Sequence, residues 1–529
     1  MAGAQDVVAL IQDCEQRFGD RVALRESARE ITYGELVERA RSLATSWIDL
    51  GLSRGARVAV LLDNCMELVI TEWACLVSGF VWVALNVRTS RDELERILDD
   101  SDPAVIIYGE RYEGLVGETM AARRCTRVAV GATRSDFEAL LEQGRAAQKR
   151  GTRPAPPGAE DPVRIRYTSG TAGKPKGAVL PRRCYDASVR AVADVIGPLY
   201  GADALVHVAP MTHASGAMFL PHAAVGARAI VLPRFDVGTL IDVIEAEQAT
   251  ALFVVPTMLV RLVEETASAA RLSSLRTIVY GGASMPTDRL LRAIEMFGPV
   301  LVQIYGLTES TWPVCALSRE DHCRRVGELE SRWLERLHSC GRPTAVGGFR
   351  IVADGTRDAA GREIGEVRVR GRNTMSGYWR GGALAADIDE KGLDRDGWMH
   401  TGDLAFRDDE GFVTIVDRLH DMIVSGGFNV YPREVENTLS SHPAVLEAAV
   451  VGKPDTEWGE TVHATVVLRD GFITSVEDLI AYCAERLAGY KKPRSLEIVA
   501  ELPKNAAGKI VRRAVRERVI AAGITGDCT

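Results

Sequence analysis

Short apolar runs recur through much of this chain, and stretches of helical spacing lie between them. Arg57 to Leu62, Ala104 to Tyr108, Ala227 to Leu232, Ala251 to Val255, Thr277 to Tyr280 and Val300 to Ile304 are strand-sized and dense in Val, Ile, Leu and Ala. Runs of this kind suit strands buried on both faces, joined by crossover helices. Val7 to Phe18, the segment reaching Cys75, and Arg91 to Leu98 supply helical spacing, while Ile31 to Leu36 reads as a strand turning into a helix. The alternation predicts an α/β fold with a largely parallel sheet. Gln143 to Asp161, rich in Gly, Pro, Ala and charge, is expected to be an exposed connection.

The pattern changes after Gly341. Between Gly341 and Val416 only short strands and turns are legible, as at Glu366 to Val369 and Phe412 to Val416, which predicts a small β-barrel-like subdomain. After Arg418 the chain restarts as a compact α+β unit. A helix opens at Tyr431 to Glu436, strands run over Leu446 to Val451 and Val462 to Leu468, and a helix spans Val476 to Leu487. A chain of 529 residues is too long for one core. The expectation is a large N-terminal α/β domain of two subdomains plus the β-barrel-like one, and a small α+β C-terminal domain.

A net charge of −8 without a long basic run argues against nucleic acid as a partner. The ten cysteines are scattered and none forms a Cys-x-x-Cys pair, so reduced thiols are expected rather than a zinc or redox site. Met1 to Asp20 carries acids and lacks the basic start and apolar core of a signal peptide, and no apolar run reaches membrane-spanning length. A cytoplasmic protein is expected.

Tyr167 to Leu180 reads Tyr-Thr-Ser-Gly-Thr-Ala-Gly-Lys-Pro-Lys-Gly-Ala-Val-Leu. Hydroxyls, glycines and two lysines between apolar runs can wrap the oxygens of a polyphosphate. The spacing is not that of a Walker A loop, because Pro175 stands where the second glycine after Gly170 would be needed. Further along come Tyr305-Gly306-Leu307-Thr308-Glu309, Thr401-Gly402-Asp403, Asp417-Arg418, Ser425-Gly426-Gly427 and Pro503-Lys504-Asn505-Ala506-Ala507-Gly508-Lys509. From about Ile31 to Arg513 this ordered series resembles the adenylate-forming superfamily of acyl-CoA synthetases, peptide-synthetase adenylation domains and luciferases, with the acid–CoA ligase branch favoured.

The resemblance implies activation of a small carboxylic acid by ATP and Mg²⁺ to acyl-AMP, followed by transfer to CoA. Catalysis would rest on positioning and on neutralising phosphoryl charge. Thr168, Ser169, Thr171 and Lys176 would hold the β- and γ-phosphates, with Gly170, Gly173 and Gly177 permitting the loop's path; Lys174 could equally be a solvated lysine. Gly281, Gly282 and Ala283 would leave a slot for adenine, with Tyr305 stacking on it beside Gly306. Thr308 would contact the α-phosphate, Glu309 would help hold Mg²⁺, Asp403 would accept from the ribose hydroxyls, and Arg418 would approach the ribose or phosphate. Lys509 would bridge carboxylate and α-phosphate. His213, in Pro210-Met211-Thr212-His213-Ala214-Ser215-Gly216, would stand at the acyl-pocket entrance. It need not be a base, since a carboxylate is already ionised at pH 7.

For thiol attack the resemblance implies a mobile C-terminal domain (422–529) swinging on a hinge at 418–421 away from residues 1–417, with His420 as pivot. The swing would bring Gly426 and Gly427 to a pantetheine tunnel. Two departures stand out: Ala172 where many relatives have threonine or serine, and His420 where aspartate or lysine is more familiar. Ala214 occupies the place where amino-acid activators carry an aspartate, so a bulky apolar acid is expected, with Ser215 and Gly216 giving width, Trp312 capping the pocket and Val255 and Met258 along its wall. Delivery to a carrier protein, a single half-reaction, a luciferase-type oxygenase and a silent adenylate-binding module remain open, as does a monomer or a homodimer.

Overall fold

The computed structural model describes residues 6–120, 123–131, 136–168, 175–266, 268–357, 361–384, 392–504 and 510–526. They fall into two compact units, the first holding Met1–Gly282, Ala293–Phe349 and Val369–His400, the second Ala283–Arg292, Arg350–Arg368 and Thr401–Thr529.

The first unit is built on two large sheets. In one, strands Leu301–Tyr305, Thr277–Gly281, Ala251–Val254, Ala204–His207, Arg228–Val231 and Val22–Glu26 lie side by side in that order, parallel throughout. In the other, Pro162–Thr168, Val81–Ala84, Arg57–Leu61, Val105–Gly109 and Thr126–Val130 are parallel neighbours, and Lys176–Pro181 folds back antiparallel on Pro162–Thr168. The apolar runs of the sequence become these strands because parallel strands covered on both faces need apolar side chains in both directions.

Helix Met66–Ser78 is buried along its whole length, its polar Glu67, Thr71, Glu72 and Ser78 included. Helix Tyr33–Asp49 starts at a capping box: Thr32 Oγ1 accepts from the Glu35 amide at 3.2 Å, and Glu35 Oε2 from the Thr32 amide at 2.8 Å. Side chains of both helices and of the flanking strands form one large core around Trp47, Trp73 and Trp82.

Two expectations are corrected. The connection expected over Gln143 to Asp161 begins inside a helix, Asp136–Lys149. Leu140, Leu141, Gly144 and Ala147 are buried at helical spacing, and a Cβ on Gly144 would lie 1.8 Å from Ser42 O, so this helix packs hard against Tyr33–Asp49. The expected barrel-like stretch divides its strands. Gly377–Arg380 and Ala383–Leu384 extend the sheet of Lys176–Pro181, while Gly347–Arg357, Glu363–Gly371, Met399–Arg407 and Val413–Arg418 form a separate four-stranded sheet in that order.

In the second unit a further sheet runs Phe428–Val430, Ile423–Ser425, Gly459–Leu468, Val445–Asp455, with Ser495–Ile498 parallel to Gly459–Leu468. Helices Pro432–Ser440 and Val476–Ala484 bury Val435, Leu439, Leu479 and Cys483 against it. Among the described residues the nine cysteines are free, and no helix is long and apolar enough to cross a membrane.

Candidate active site

In the first unit the expected residues collect at strand ends, where open α/β sheets bind ligands. Thr168 closes Pro162–Thr168 and pairs with Lys176 across the antiparallel ladder. The loop between them, with Ser169, Gly170, Thr171, Ala172, Gly173 and Lys174, lies outside the described residues, as does Lys509. Gly281 ends its strand so close to the next that a Cβ would stand 2.4 Å from Ile304 O. Gly282 follows at φ +86° with open space beside it, and Ala283 is exposed. That pair of glycines leaves backbone where a flat base could approach.

Tyr305 ends strand Leu301–Tyr305, and Gly306, Thr308 and Glu309 follow in the loop beyond it, all partly accessible. The loop is tied down. The Val314 amide donates to Tyr305 O at 2.7 Å, the Met375 amide to Glu309 O at 2.8 Å, and Asn373 Nδ2 to Ser310 Oγ at 3.1 Å. Tyr378 OH donates to Glu309 Oε1 at 3.0 Å, and Lys176 Nζ lies 5.2 Å from the centre of the Tyr378 ring. An oriented, partly accessible carboxylate suits Mg²⁺, a hard cation that takes one or two protein carboxylates plus phosphate oxygens.

His213 precedes the short turn Ala214–Met218, and its Nδ1 lies 3.0 Å from Thr212 Oγ1. Its surroundings push the imidazole down to about 3, first by desolvation and then through Arg166 and Arg164. A neutral ring at pH 7 serves as a gate or a hydrogen-bonding group rather than as a charged one. Ser215 is taken into the interior: it is 1 % exposed and its hydroxyl lies 2.9 Å from His207 Nδ1. Of the two small residues expected to give width, Gly216 lines a small cavity, together with Ala217 and Trp312, and Ser215 does not. Trp312 is 6 % exposed and its ring lies 5.9 Å from that of Phe253. Val255 and Met258, at the start of helix Pro256–Glu265, pack against the main core.

The same cavity is lined by Glu72, Arg164, Arg166 and Tyr185, a polar group that the sequence analysis missed. Its signal was present: Arg164 and Arg166 alternate with apolar residues in Val163-Arg164-Ile165-Arg166, which sets both guanidiniums on one face of a buried strand.

In the second unit Asp403 and Arg418 face each other across an antiparallel ladder, with Arg418 Nε 2.6 Å from Asp403 Oδ1. Asp403 is anchored from behind, its amide donating to Thr401 Oγ1, which donates to Val367 O at 2.7 Å. His420 is exposed in the turn after Arg418, where the Asp421 amide donates to Arg418 O at 3.1 Å. Arg512 binds both sides of that turn. It donates to Asp417 Oδ1 at 2.7 Å, Asp421 Oδ2 at 3.0 Å and Glu436 Oε1 at 2.8 Å. Those carboxylates hold its charge more firmly than burial disfavours it. Gly426 and Gly427, at φ +58° and +82°, make the two-residue turn that joins Ser425 to Phe428. Positive φ at both central positions is the type I′ requirement, which glycine meets without strain.

Comparison with known proteins agrees with this arrangement. The family model "AMP-binding enzyme" matches residues 11–379 and "AMP-binding enzyme C-terminal domain" matches 434–509. A feruloyl-CoA synthase from Amycolatopsis sp is 35% identical over 504 residues, covering 94% of this chain and 95% of that protein. A 2-succinylbenzoate–CoA ligase from Bacillus mycoides (strain KBAB4) is 33% identical over 501 residues, covering 94% and 96%. Among solved structures, o-succinylbenzoate CoA synthetase from Bacillus subtilis, in complex with its acyl-adenylate intermediate, matches with a TM-score of 0.82 and 30% identity over 96% of this chain and 97% of that one. Strand-end glycines, an oriented carboxylate at Glu309 and near-complete coverage by acid–CoA ligases lead to one conclusion: the chain belongs to the AMP-binding enzyme family, in its acyl-CoA synthetase branch, and is an ATP-, Mg²⁺- and CoA-dependent acid–thiol ligase.

Proposed function

We propose that the acid is aromatic or a similarly bulky ring acid, and that the residues above divide the reaction between them. The observation that carries the first part is the Trp312 residue in the cavity wall, an aromatic apolar lining for a flat acid, with the Phe253 ring 5.9 Å from its own. The feruloyl and 2-succinylbenzoyl groups for which the two relatives are named both contain an aromatic ring.

On this reading Thr168 and Lys176, with the loop between them, hold the β- and γ-phosphates, and Tyr305 and the Gly281–Gly282 turn receive the base. Asp403 accepts from the ribose hydroxyls. Thr308 contacts the α-phosphate and Glu309 holds Mg²⁺, which when bound shields phosphate charge. The substrate carboxylate attacks the α-phosphorus and pyrophosphate leaves; Lys509 neutralises the oxygens between which charge is shared. The C-terminal domain then turns on the segment around His420, Lys509 withdraws, and Gly426–Gly427 flank the path of the CoA thiol. CoA is the acceptor in this scheme, in the cytoplasm; a carrier protein is the alternative.

Pyrophosphate release over a panel of aromatic, alicyclic, medium-chain and α-amino acids, with CoA or a carrier protein as acceptor, tests the proposal. Aromatic acids should lead with CoA as acceptor. Robust turnover of an α-amino acid, or of straight-chain acids ahead of every ring acid, would overturn it.

A further inference from the structure

Arg164 and Arg166 line one cavity but are bonded very differently. Arg164 is consumed by the protein: Nη1 donates to Tyr185 OH at 3.2 Å, Nη2 donates to Thr212 O, and Glu72 Oε1 lies 3.6 Å from Nη1. Its guanidinium also lies 4.0 Å above the Trp82 ring, and Glu72 is fixed in turn by Tyr185 OH at 2.9 Å. Arg166 is 9 % exposed, yet it makes no hydrogen bond and no ion pair among the described residues, and its Nε is buried without a partner.

A guanidinium carries five donors, and burying them unmatched costs several kcal/mol unless an acceptor arrives. The groups facing Arg166 are Arg164, Tyr185, Glu72, Glu309 and His213. Burial, then Arg164, push Arg166 down to about 9, which leaves it charged at pH 7. Among the residues that line the cavity, Arg164 and Arg166 are basic and Glu72 alone is acidic, while Glu309 faces Arg166 from outside the lining. Apolar Leu180, Val189, Leu220 and Trp312 complete the wall. A wall of this composition fits a molecule with an apolar body and one anionic end, and the planar fork of Arg166 fits a carboxylate best.

We propose that the substrate acid carries a second carboxylate, and that Arg166 receives it while Arg164, held by Tyr185 and Glu72, positions the pocket around it. This rests on the acid-ligase reading of the same cavity and specifies the far end of the acid.

The test is a set of diacids, each paired with its half methyl ester, in an aromatic series and in a straight-chain series, followed by pyrophosphate release. With the wild-type chain the diacid should exceed its half ester in kcat/KM by about 30-fold, the range of one charge-assisted pair. Arg166→Leu should collapse that ratio to about one by lowering the diacid value alone, with KM for ATP unchanged, and Arg166→Lys should keep part of it. Equal use of diacid and half ester by the wild type would overturn the inference without any variant. So would a rise in KM for ATP in Arg166→Leu, which would assign the guanidinium to a phosphate. A diacid preference in the straight-chain series with no aromatic preference would sink the ring-acid proposal and leave this one standing.

Discussion

The Tyr378 hydroxyl donates to Glu309 Oε1 at 3.0 Å, so the carboxylate assigned to Mg²⁺ is aimed by a residue 69 positions away in sequence. Tyr378 sits on strand Gly377–Arg380, which pairs with Lys176–Pro181, the strand proposed above to help hold the phosphates. The Glu309 carboxylate is thus aimed from the sheet that contains Pro162–Thr168 and Lys176–Pro181.

Tyr378→Phe should lower the adenylation rate about 10-fold and raise the Mg²⁺ concentration needed for half-maximal rate, since a charge-assisted bond of about 1.4 kcal/mol is lost. Pyrophosphate release measured across a Mg²⁺ titration checks this. An unchanged Mg²⁺ dependence would show that the phenol only packs.

Lys509→Ala should abolish acyl-AMP formation while sparing thioester formation from supplied acyl-AMP, because in the proposed scheme the lysine acts only in the first conformation. The two half-reactions are assayed separately. Equal loss in both would refute the division of labour.

Arg512→Ala should destabilise the second unit by about 3 kcal/mol, because Asp417, Asp421 and Glu436 then face one another without their shared cation. Urea unfolding followed by limited proteolysis reads this out. A variant as stable as wild type would mean that solvent replaces the guanidinium at no cost.

Stability should fall as pH drops below about 6.5. Burial pushes the imidazoles of His207, His222 and His322 down to about 3, 4 and 4, so the native chain keeps them neutral. The unfolded chain takes up their protons near 6.5, and each such histidine costs about 1.4 kcal/mol per pH unit until its native value is reached. Urea midpoints at pH 7.5 and 5.5 test the sign. Equal midpoints would show that these rings already escape to solvent.

The buried parallel strands were legible because a strand covered on both faces can hold little but apolar residues; Arg57–Leu61 and Leu301–Tyr305 fall within a residue of their expected bounds. Helix Asp136–Lys149 was obscured because Gly144 and the flanking charges resemble loop composition, although its glycine exists to let Ser42 come close. The positions of Glu309 and His213 came from motif order, but what surrounds them did not. Tyr378, Glu72 and Tyr185 reach the site from distant strands and helices, and no local pattern announces a side chain that acts across a sheet. Arg166 was visible as a charge in an apolar strand, yet only the fold shows that nothing in the described protein answers it.

A Cβ placed on Gly306 would fall 2.4 Å from Trp312 Cβ. The backbone of residue 312 is also close, its Cα at 3.0 Å, so position 306 is closed to change whatever side chain stands at 312. Position 312 itself can shrink without lifting that constraint. Change in the cavity wall thus has an open route through the tryptophan ring and a barred one through the glycine, and the first leaves the turn at 305–309 as it stands.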